Sequence, residues 1–495
     1  MISKGDGGYY HPTSEAEISD LIQYAGAHGL KIRVRGSGHS VKAAIYTGNF
    51  ENPPHRDNDL NLYLDRMTQV TFDEARQQVT AQGGCHLGLD PMDPTHQSTR
   101  ANSLFYQVDQ KGWAFPTTGG ISTQTVGGFM STGSAGTSLH QAVGRQVLAI
   151  RLVDGLGNLQ EYHKTDDLDD PFYAAGVSMG LLGVITSVTF QCVDRFAIVG
   201  METTSSYQNC KIDLFGEGTI DKPSLETFLR DRPHARMMWF PQQHIERMIV
   251  WEADHLEPVP NDFTPKPYSE FPVVLGSEFP AQFAASILFK LFDLINPPEP
   301  SGSLGKWLRS VLKPIYPSVV NYFLASAVLG PQHFQDIWWA GVPMDDRVDY
   351  NLLPTEFTEL WFPIEKTAEV MQEYLAYYQQ GGWEATGIYT AELYCSPSSN
   401  FWMSPAYQQD VFRADQFWFA RNRGVPDRDF YPPLWERMRK FNFRLHWGKY
   451  LYPDVAYLKQ QYPRWDDFMA LRAQLDPHQV FVTDYWRRHL GIEMN

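Results

Sequence analysis

The spacing of apolar and polar residues near the amino end predicts a helix, a strand and a glycine turn, in that order. Ser14 and Glu17 stand at the spacing of a capping box. The apolar face of the helix that this box opens consists of Ile18, Leu21, Ile22 and Ala25. Ile32 and Val34 then alternate with charged residues, as in a strand, and lead into a Gly-Ser-Gly turn at 36–38. Because glycine has no Cβ, this turn can point consecutive backbone N–H groups at an anion such as a pyrophosphate.

Three later stretches have the alternation or the apolar run of a strand: residues 70–80, 147–153 and 181–190. The second is followed by Asp154-Gly155, a turn sequence that predicts a hairpin. Residues 115–137 lie before it and are rich in glycine and hydroxyl side chains. We expect this segment to form a cradle of exposed backbone and not a packed helix.

Beyond about Asp194 aromatic residues become dense and turn glycines become sparser. The elements predicted for this part are helices within 279–295 and 306–329, strands at 357–363 and 385–394, and a proline-rich loop at 258–272. The strands are expected to belong to a second sheet.

The length and composition of the chain limit the classes of protein to which it can belong. At 495 residues the chain is longer than one hydrophobic core usually supports, so we expect two domains. Its 43% of hydrophobic and 20% of charged residues are typical of a globular protein. A net charge of −16 argues against nucleic acid as a partner, since phosphates require a basic surface.

The spacing of the cysteines and the lack of long apolar runs in the sequence indicate in which cellular compartment the protein is expected. The four cysteines stand far apart in the sequence, which excludes a zinc knuckle and argues against a disulfide framework. The first residues form no apolar signal segment, and no uncharged stretch is long enough to span a bilayer. We therefore expect a cytoplasmic location.

Seven motifs, in the same order, resemble those of one flavoprotein family. They are R-G-S-G-H-S at 35–40, the glycine-rich segment 116–137, G-L-L-G-V-I-T-S-V-T at 180–189, E-L-W-F-P at 359–363, W-M-S-P-A-Y at 402–407, H-W-G-K at 446–449 and the tail at 462–481. The family is that of vanillyl-alcohol oxidase and para-cresol methylhydroxylase (PCMH). Within it, the chain looks most similar to the sugar-lactone oxidases, alditol oxidase and the type II cholesterol oxidases, over nearly its whole length.

The resemblance implies an α+β fold in three parts. Residues 1–194 would form an FAD-binding, PCMH-type domain of two subdomains. Residues 195–450 would form a substrate-binding cap domain, with an antiparallel sheet covered by helices. Residues 451–495 would return to the FAD domain.

The resemblance also implies FAD as the cofactor. His39 stands where the family attaches the flavin 8α-methyl group to a histidine, and a neutral imidazole is a suitable nucleophile for that bond. A non-covalent contact of His39 with the flavin is the alternative. The residues expected to bind FAD are Arg35, Gly36, Ser37, Gly38, His39, Ser40, Ser122, Thr123, Gly127, Gly128, Thr132, Gly133 and Ile185.

Three residues match or replace the catalytic groups of the family. Lys449, in the H-W-G-K motif, would orient the alcohol oxygen or lie near flavin N1 and C2=O. Glu392 matches a carboxylate on the substrate side, and alternation places Tyr394 on the same strand face. The family has an arginine two residues after this glutamate, so Tyr394 replaces a fixed positive charge by a phenol. A surface lysine and a structural ion pair are the alternatives for Lys449 and Glu392.

The expected substrate pocket is less polar than that of alditol oxidase. Phe129 stands where that enzyme has a small hydroxyl residue, and residues 417–419 stand where it has histidine and threonine contacts to polyol hydroxyls. The pocket predicted from these positions and from the aromatic density consists of Phe129, Phe417, Phe419 and Trp402. We expect His446 to be a packed structural histidine.

The function implied is oxidation of a CH–OH group by hydride transfer to flavin N5, with O2 as the expected acceptor and hydrogen peroxide as the product. The substrate is either a bulky hydrophobic alcohol such as a sterol, which the pocket slightly favours, or a polyol or sugar lactone. The alternatives are a dehydrogenase with another acceptor and a flavin-binding protein without alcohol oxidation. The apolar stretches 279–295 and 306–329 contact lipid or pack as buried cap helices, and we favour packing.

Overall fold

A computed structural model describes residues 2–48, 60–242, 245–295, 301–327, 331–381, 389–420 and 424–494. The strands are β1 Ile32–Arg35, β2 Leu60–Tyr63, β3 Val70–Asp73, β4 Gln78–Gln82, β5 Trp113–Ala114, β6 Val147–Val153, β7 Leu159–His163, β8 Val184–Gln191, β9 Val193–Asp194, β10 Ala197–Ser206, β11 His234–Phe240, β12 Arg247–Leu256, β13 Gln332–Ile337, β14 Thr355–Pro363, β15 Thr390–Ser396, β16 Val411–Phe419 and β17 Arg444–Leu445.

Helices lie between these strands and after them. They are α1 Glu15–His28, α2 Lys42–Ile45, α3 Leu104–Gln110, α4 Val126–Thr132, α5 Phe172–Ala175, α6 Leu225–Asp231, α7 Phe279–Ile295, α8 Ser303–Leu312, α9 Tyr316–Ala327, α10 Trp338–Gly341, α11 Thr367–Gly381, α12 Pro426–Asp429, α13 Tyr431–Met438, α14 Val455–Gln461, α15 Trp465–Leu475 and α16 Asp484–Leu490. Short 3₁₀ helices lie at Asp6–Gly8, Val143–Gln146, Ile364–Lys366 and Arg439–Phe441. None of the helices in these described ranges is both long and apolar enough to cross a membrane.

The first half of the chain contains a parallel pair, β1–β2, and a five-stranded antiparallel sheet with the order β3-β4-β8-β6-β7. The predicted hairpin is confirmed: β6 pairs with β7, and the Asp154 carboxylate accepts the N–H groups of Leu156 and Asn158 in the turn. Strand β8 lies inside this sheet and is mostly buried, which explains its continuous apolar run. The predicted capping box is also present, because the Ser14 side chain accepts the N–H of Glu17.

One predicted feature of this half is wrong. The glycine-rich segment does contain a helix, α4, which begins after Thr125 and ends at Gly133, where φ is 73°. The Thr125 side chain caps it by accepting the N–H of Gly128. Burial of Val126, Phe129 and Met130 offsets the low helix propensity of the glycines.

The second half of the chain forms an eight-stranded sheet with the order β13-β10-β12-β11-β15-β16-β14-β17, in which every pairing is antiparallel. Helices cover one face of it: Trp435 of α13 donates to Thr358 at 3.0 Å, and Tyr378 of α11 donates to Gln416. Alternate residues of the same strands therefore face the opposite side.

The strands and helices predicted for this half are found, with shifted ends. Strand β15 begins at Thr390, and residues 385–388 of the predicted strand lie outside the described residues. The predicted stretch 306–329 consists of two helices, α8 and α9, and its last two positions are not described.

The carboxyl-terminal segment packs against β1. The Ile32 N–H donates to the Val480 carbonyl at 2.8 Å, and the Trp486 indole donates to the Ala44 carbonyl at 3.0 Å. The buried guanidinium of Arg33 bridges this tail to the turn before β8, since it donates to the carbonyls of Phe481 and Met179. The domain limits at 194 and 450 themselves stay predictions.

Candidate active site

A cavity of about 1090 Å³ lies between the glycine turns of the first half and the uncovered face of the eight-stranded sheet. One side is formed by the turn after β1, by α2 and by α4, and the other side by β11, β14, β15 and β16. This volume exceeds the ~300–1,000 Å³ of an ordinary small-molecule site. It can hold a large ligand and a small one together.

Close backbone packing shapes the first side. Gly38 has a φ of 85°, in the left-handed region that favours glycine. A Cβ on Gly36 would lie 2.4 Å from Thr125 Oγ1, at the N-cap of α4. The turn and the helix can approach this closely only because position 36 has no side chain.

Most residues expected to bind FAD do line the cavity. Those that line it are Arg35, Gly36, Ser37, Gly38, His39, Ser40, Gly127, Gly128, Thr132 and Ile185. Ser122, Thr123 and Gly133 are not part of this lining. Ser122 and Thr123 form hydrogen bonds with neighbouring residues instead. Ser122 donates through its N–H and its hydroxyl to Asp346, and the Thr123 carbonyl accepts the Ser37 hydroxyl at 2.5 Å.

His39 is held as a neutral imidazole at the edge of the cavity. Burial, and then the positive charge of Lys449, lower its pKa to about 4. Its Nε2 lies 2.7 Å from Thr123 Oγ1, and its ring packs edge-on against Tyr350. The ring therefore keeps a lone pair at neutral pH, which a nucleophile requires.

The sheet face opposite His39 carries a row of charged side chains, which we name the polar wall. It consists of Arg236 of β11, Glu392 and Tyr394 of β15, Arg413 and Asp415 of β16, and Glu359 of β14. Glu392 stands opposite Asp415 in the register, and Asp415 stands opposite Glu359. Because antiparallel partners lie side by side, residues distant in sequence meet here.

Arg236 anchors one end of the polar wall. Its guanidinium donates to Glu392 at 2.6 Å and to Asp345 at 2.6 Å, and it contacts Glu270 at 3.3 Å. Burial, and then Asp345, raise the pKa of Glu392 to about 8 despite this arginine.

Arg413 anchors the other end. It forms a buried ion pair with Glu359, and donates to the Tyr394 hydroxyl at 3.0 Å and to the Gly136 carbonyl at 2.8 Å. The Tyr394 hydroxyl in turn donates to Asp415 at 2.5 Å. Burial would raise the pKa of Glu359, but Arg413 holds it below its usual value. Burial, and then Glu359, raise the pKa of Asp415 far above its usual value. In the polar wall, Glu359 is therefore an ionised carboxylate, while Glu392 and Asp415 beside it keep their protons to a higher pH than usual.

Lys449 links the polar wall to the His39 turn. Its ammonium donates to the His39 carbonyl at 3.0 Å and lies 4.0 Å from the centre of the Phe357 ring. Burial lowers its pKa, although nearby carboxylates act in the opposite direction. Lys449 is half-buried and lines the cavity, so it is not an ordinary surface lysine.

Comparisons with known protein families give one match in each half of the chain. A family described as "FAD binding domain" matches residues 7–89, and a family described as "D-arabinono-1,4-lactone oxidase" matches residues 348–489. L-gulonolactone oxidase of Mus musculus is 24% identical over 486 residues, which cover 96% of this chain and 93% of the relative. L-gulono-1,4-lactone dehydrogenase of Mycobacterium tuberculosis is 25% identical over 487 residues, which cover 97% and 95%.

Solved structures share the fold over the whole length. Cholesterol oxidase from B. sterolicum has a TM-score of 0.69 at 15% identity and covers 97% of this chain and 93% of its own. Physcomitrella patens BBE-like 1 has a TM-score of 0.58 at 14% identity, with coverage of 96% and 90%. The FAD-binding match, the lactone-oxidase match and the shared fold make the chain similar to the PCMH-type FAD flavoproteins. It is therefore an FAD-dependent oxidoreductase, and the α+β fold expected from the sequence is confirmed.

The cavity of this PCMH-type flavoprotein fits FAD. The close approach at Gly36 and the left-handed Gly38 leave the main chain of residues 35–40 facing the cavity, as a pyrophosphate requires. The same cavity continues to the polar wall, where a substrate would meet the ring system.

Three of the four residues predicted for the substrate pocket of the flavoprotein lie elsewhere. Phe129 is buried in α4, Phe419 packs against Phe289, and the Trp402 indole donates to the Leu168 carbonyl. Only Phe417 of the four lines the main cavity, opposite Phe357 in the sheet register. The cavity therefore carries charged groups that these four positions did not indicate, because the polar wall comes from strands whose pairing the sequence does not reveal.

His446 is buried, as expected, and it also has polar contacts beside the cavity. It lines the cavity, accepts the Gly448 N–H at its Nδ1 and lies 3.5 Å from the Ser134 hydroxyl through its Nε2. Burial lowers its pKa to about 4, so the ring is neutral. Among the residues that sequence reasoning missed, Arg236, Asp345, Arg413 and Asp415 have no motif of their own, whereas Glu359 opens the E-L-W-F-P motif.

Proposed function

We propose that this flavoprotein oxidises a CH–OH carbon of a sugar lactone, with O2 as the acceptor and hydrogen peroxide as the second product. The polar wall is the observation that carries the proposal, because buried cations and carboxylates face the cavity there. Within the described residues, Asp415 Oδ1 of the wall is buried without a hydrogen-bond partner. A polyhydroxylated lactone offers a partner to such an atom, whereas a sterol would leave it unpaired at a high cost. The full-length likeness to lactone oxidases and dehydrogenases supports the same substrate class.

When bound, FAD supplies the hydride acceptor at its N5 atom. The protein must take the hydroxyl proton as the substrate CH–OH becomes C=O. Glu392 is placed for this transfer: it lines the cavity, and its pKa of about 8 lies close to neutral pH, as a general base requires. Arg236 fixes its orientation by donating to Oε1.

The other two residues of the predicted catalytic group orient their neighbours. Lys449 presents an ammonium between the His39 turn and the wall, where it can donate to the substrate oxygen. The Tyr394 hydroxyl already accepts from Arg413 and donates to Asp415. We therefore assign Tyr394 a positioning role for Arg413 and not a proton-transfer role. Two electrons leave the substrate carbon as hydride, and O2 takes two electrons and two protons to form the peroxide.

We further propose that His39 forms a covalent bond to the 8α-methyl carbon of the flavin. The bond would replace one C–H bond of that methyl group and the imidazole N–H, and the two electrons released would reduce the flavin, which O2 would then reoxidise. The neutral, half-buried imidazole beside the cofactor cleft supports this bond. Acid-precipitated wild-type protein should keep its yellow colour after washing, and His39→Ala protein should lose it to the supernatant. A colourless wild-type pellet would show that the contact is non-covalent.

Anaerobic mixing tests the substrate class. Gulonolactone should bleach the flavin absorption band faster than xylitol or cholesterol, and admission of air should release peroxide. Bleaching by cholesterol alone would contradict the proposal. No bleaching by any alcohol would support the alternative of a flavin-binding protein without alcohol oxidation.

The likeness to an L-gulono-1,4-lactone dehydrogenase favours a second candidate for the acceptor. A dehydrogenase would oxidise the same lactone but pass the electrons to a dye or a quinone. Mixing the lactone-reduced protein with air-saturated buffer separates the two candidates. Rapid recovery of the flavin band supports the oxidase, and recovery only after addition of a dye supports the dehydrogenase.

A further inference from the structure

The exposed apolar side chains of the described residues are concentrated in one region of the sequence. Twelve of the twenty-one large hydrophobic residues that are exposed lie between positions 273 and 322, which is about a tenth of the chain. They belong to α7, α8, α9 and the loop before α7. A concentration of this kind marks a surface for binding and not the usual scatter of single apolar residues.

Helix α8 is the most exposed member of this region. Leu304, Trp307 and Val311 repeat at helical spacing and are 68%, 59% and 45% exposed. No residue of this helix is buried, so the expectation that the apolar stretches pack as buried cap helices is wrong for α8. An amphipathic helix whose apolar face has no covering within the described protein is typical of helices that lie in a lipid interface.

Helices α7, α8 and α9 pack together around one apolar cluster through Leu291, Leu312 and Val320, and α7 and α9 also have exposed apolar faces. Phe279, Phe283 and Ile287 form one exposed face of α7, while Ala281 and Ala285 of its other face are buried. In α9 and the residue before it, Ile315, Val319 and Tyr322 are exposed, while Tyr316 is buried. We name the exposed faces of α7, α8 and α9 the apolar platform.

The charge of the platform is opposite to that of the whole protein. Residues 303–330 contain Lys306, Arg309 and Lys313 and no acidic residue, in a chain whose net charge is −16. All three cationic residues lie on or just after α8, on the side of the helix away from Leu304 and Val311. An amphipathic helix with an apolar face and a basic polar face is typical of helices that bind a bilayer containing anionic headgroups.

We propose that the apolar platform docks on an anionic lipid surface. No helix in the described residues can span a bilayer, so the platform lies on the membrane with its apolar side chains in the headgroup region. The inner faces of α7 and α9 line the active-site cavity through Ala285, Leu288, Phe289, Tyr316 and Val320, whereas no residue of α8 lines it. Docking therefore places the part of the cavity lining that α7 and α9 contribute on the inner side of helices that contact the lipid.

Vesicle flotation tests the docking without reference to activity. The purified flavin-loaded protein should float with vesicles of phosphatidylcholine and phosphatidylserine, and much less with phosphatidylcholine alone. Trp307→Asp and Leu304→Asp should each reduce the floated fraction at least tenfold. Lys306→Glu should reduce it severalfold and weaken its dependence on salt. Leu159→Asp is the matched control, because Leu159 is 46% exposed on β7, far from the platform in the sequence, and should float as the wild type does.

The outcomes distinguish the possible occupants of the platform. Retained flavin absorption and an unchanged unfolding temperature show that the variants are folded. Unchanged flotation of Trp307→Asp and Leu304→Asp would overturn the proposal. It would equally be overturned if the wild type bound neither kind of vesicle and sedimented as a dimer that Trp307→Asp dissociates, since a second copy would then cover the platform.

Discussion

Arg413 lies beside the position at which the family has an arginine and this chain has Tyr394. The two residues face each other in the β15–β16 register, and the guanidinium carbon lies 3.9 Å from the centre of the Tyr394 ring. A strand neighbour thus supplies the positive charge that the sequence alone indicated was lost. This weakens the alternative of a flavin-binding protein without oxidation activity, which rested on that loss.

Removing Arg413 should destabilise the protein, because Glu359 would then be a buried charge without its main partner. We expect Arg413→Met to lower the free energy of unfolding by about 3–5 kcal/mol. The double variant Arg413→Met with Glu359→Gln should recover a measurable part of this loss. Urea unfolding of the two single variants, the double variant and the wild type measures the coupling. Strictly additive effects would contradict a direct ion pair.

Glu392 should control both the rate and its pH dependence. With a pKa of about 8, it becomes ionised as the pH rises from 7 to 9, so kcat/KM should rise over this range in the wild type. Glu392→Gln should lower kcat ~10²–10⁴-fold and remove the rising limb. Glu202→Gln is the matched control, since Glu202 is a buried carboxyl whose pKa is also raised to about 8. Glu202 is not part of the cavity lining. If the rise of kcat/KM with pH were lost in both variants, the role of Glu392 would be contradicted.

At the scale of elements, the turn after β1 depends on the absence of a side chain at position 36. A methyl group there would meet Thr125 Oγ1 at 2.4 Å and push the turn away from α4. Gly36→Ala should therefore lower the FAD content of the purified protein severalfold. Gly26→Ala is the control: the nearest atom to the new methyl group is 3.6 Å away, and alanine is the better helix former in α1. Equal flavin content in both variants would show that the turn does not shape the cofactor site.

Elements whose signal is local were predictable from the sequence, and those that depend on long-range contacts were not. The capped helix α1 and the β6–β7 hairpin follow from residues within a few positions of each other. Helix α4 was missed because tertiary burial of Phe129 and Met130, together with the Thr125 cap, outweighs poor local propensity. The polar wall was missed for a related reason, since Arg236 and Glu392 are brought together by pairing of β11 with β15, 156 positions apart.

At the scale of the whole molecule, histidines and carboxyl groups with shifted pKa values have opposite effects on how the free energy of unfolding depends on pH. Burial lowers the pKa values of four histidines, His39, His234, His446 and His489, to about 4, 3, 4 and 4. Burial raises the pKa values of Glu202, Asp346 and Glu392 to about 8, 7 and 8. Below pH ~6.5 the unfolded chain protonates its histidines while the fold keeps these four neutral, which favours unfolding as the pH falls. The carboxyls act in the opposite direction, because they keep their protons only in the folded protein.

Above pH ~7 most histidines are neutral in both states, so the carboxyl groups dominate the difference in bound protons and set the sign of the pH dependence. The folded protein binds more protons than the unfolded chain there, so the free energy of unfolding should fall as the pH rises, by ~1 kcal/mol per pH unit for each such carboxyl. The denaturation midpoint in urea, measured at pH 7.0, 7.5 and 8.0, should decrease steadily. The double variant Glu202→Gln and Glu392→Gln should reduce this decrease, because neither amide titrates. A midpoint that rises from pH 7.0 to 8.0 in the wild type would show that these carboxyls are ionised in the fold, and would remove the physical basis for Glu392 as a base poised near neutral pH.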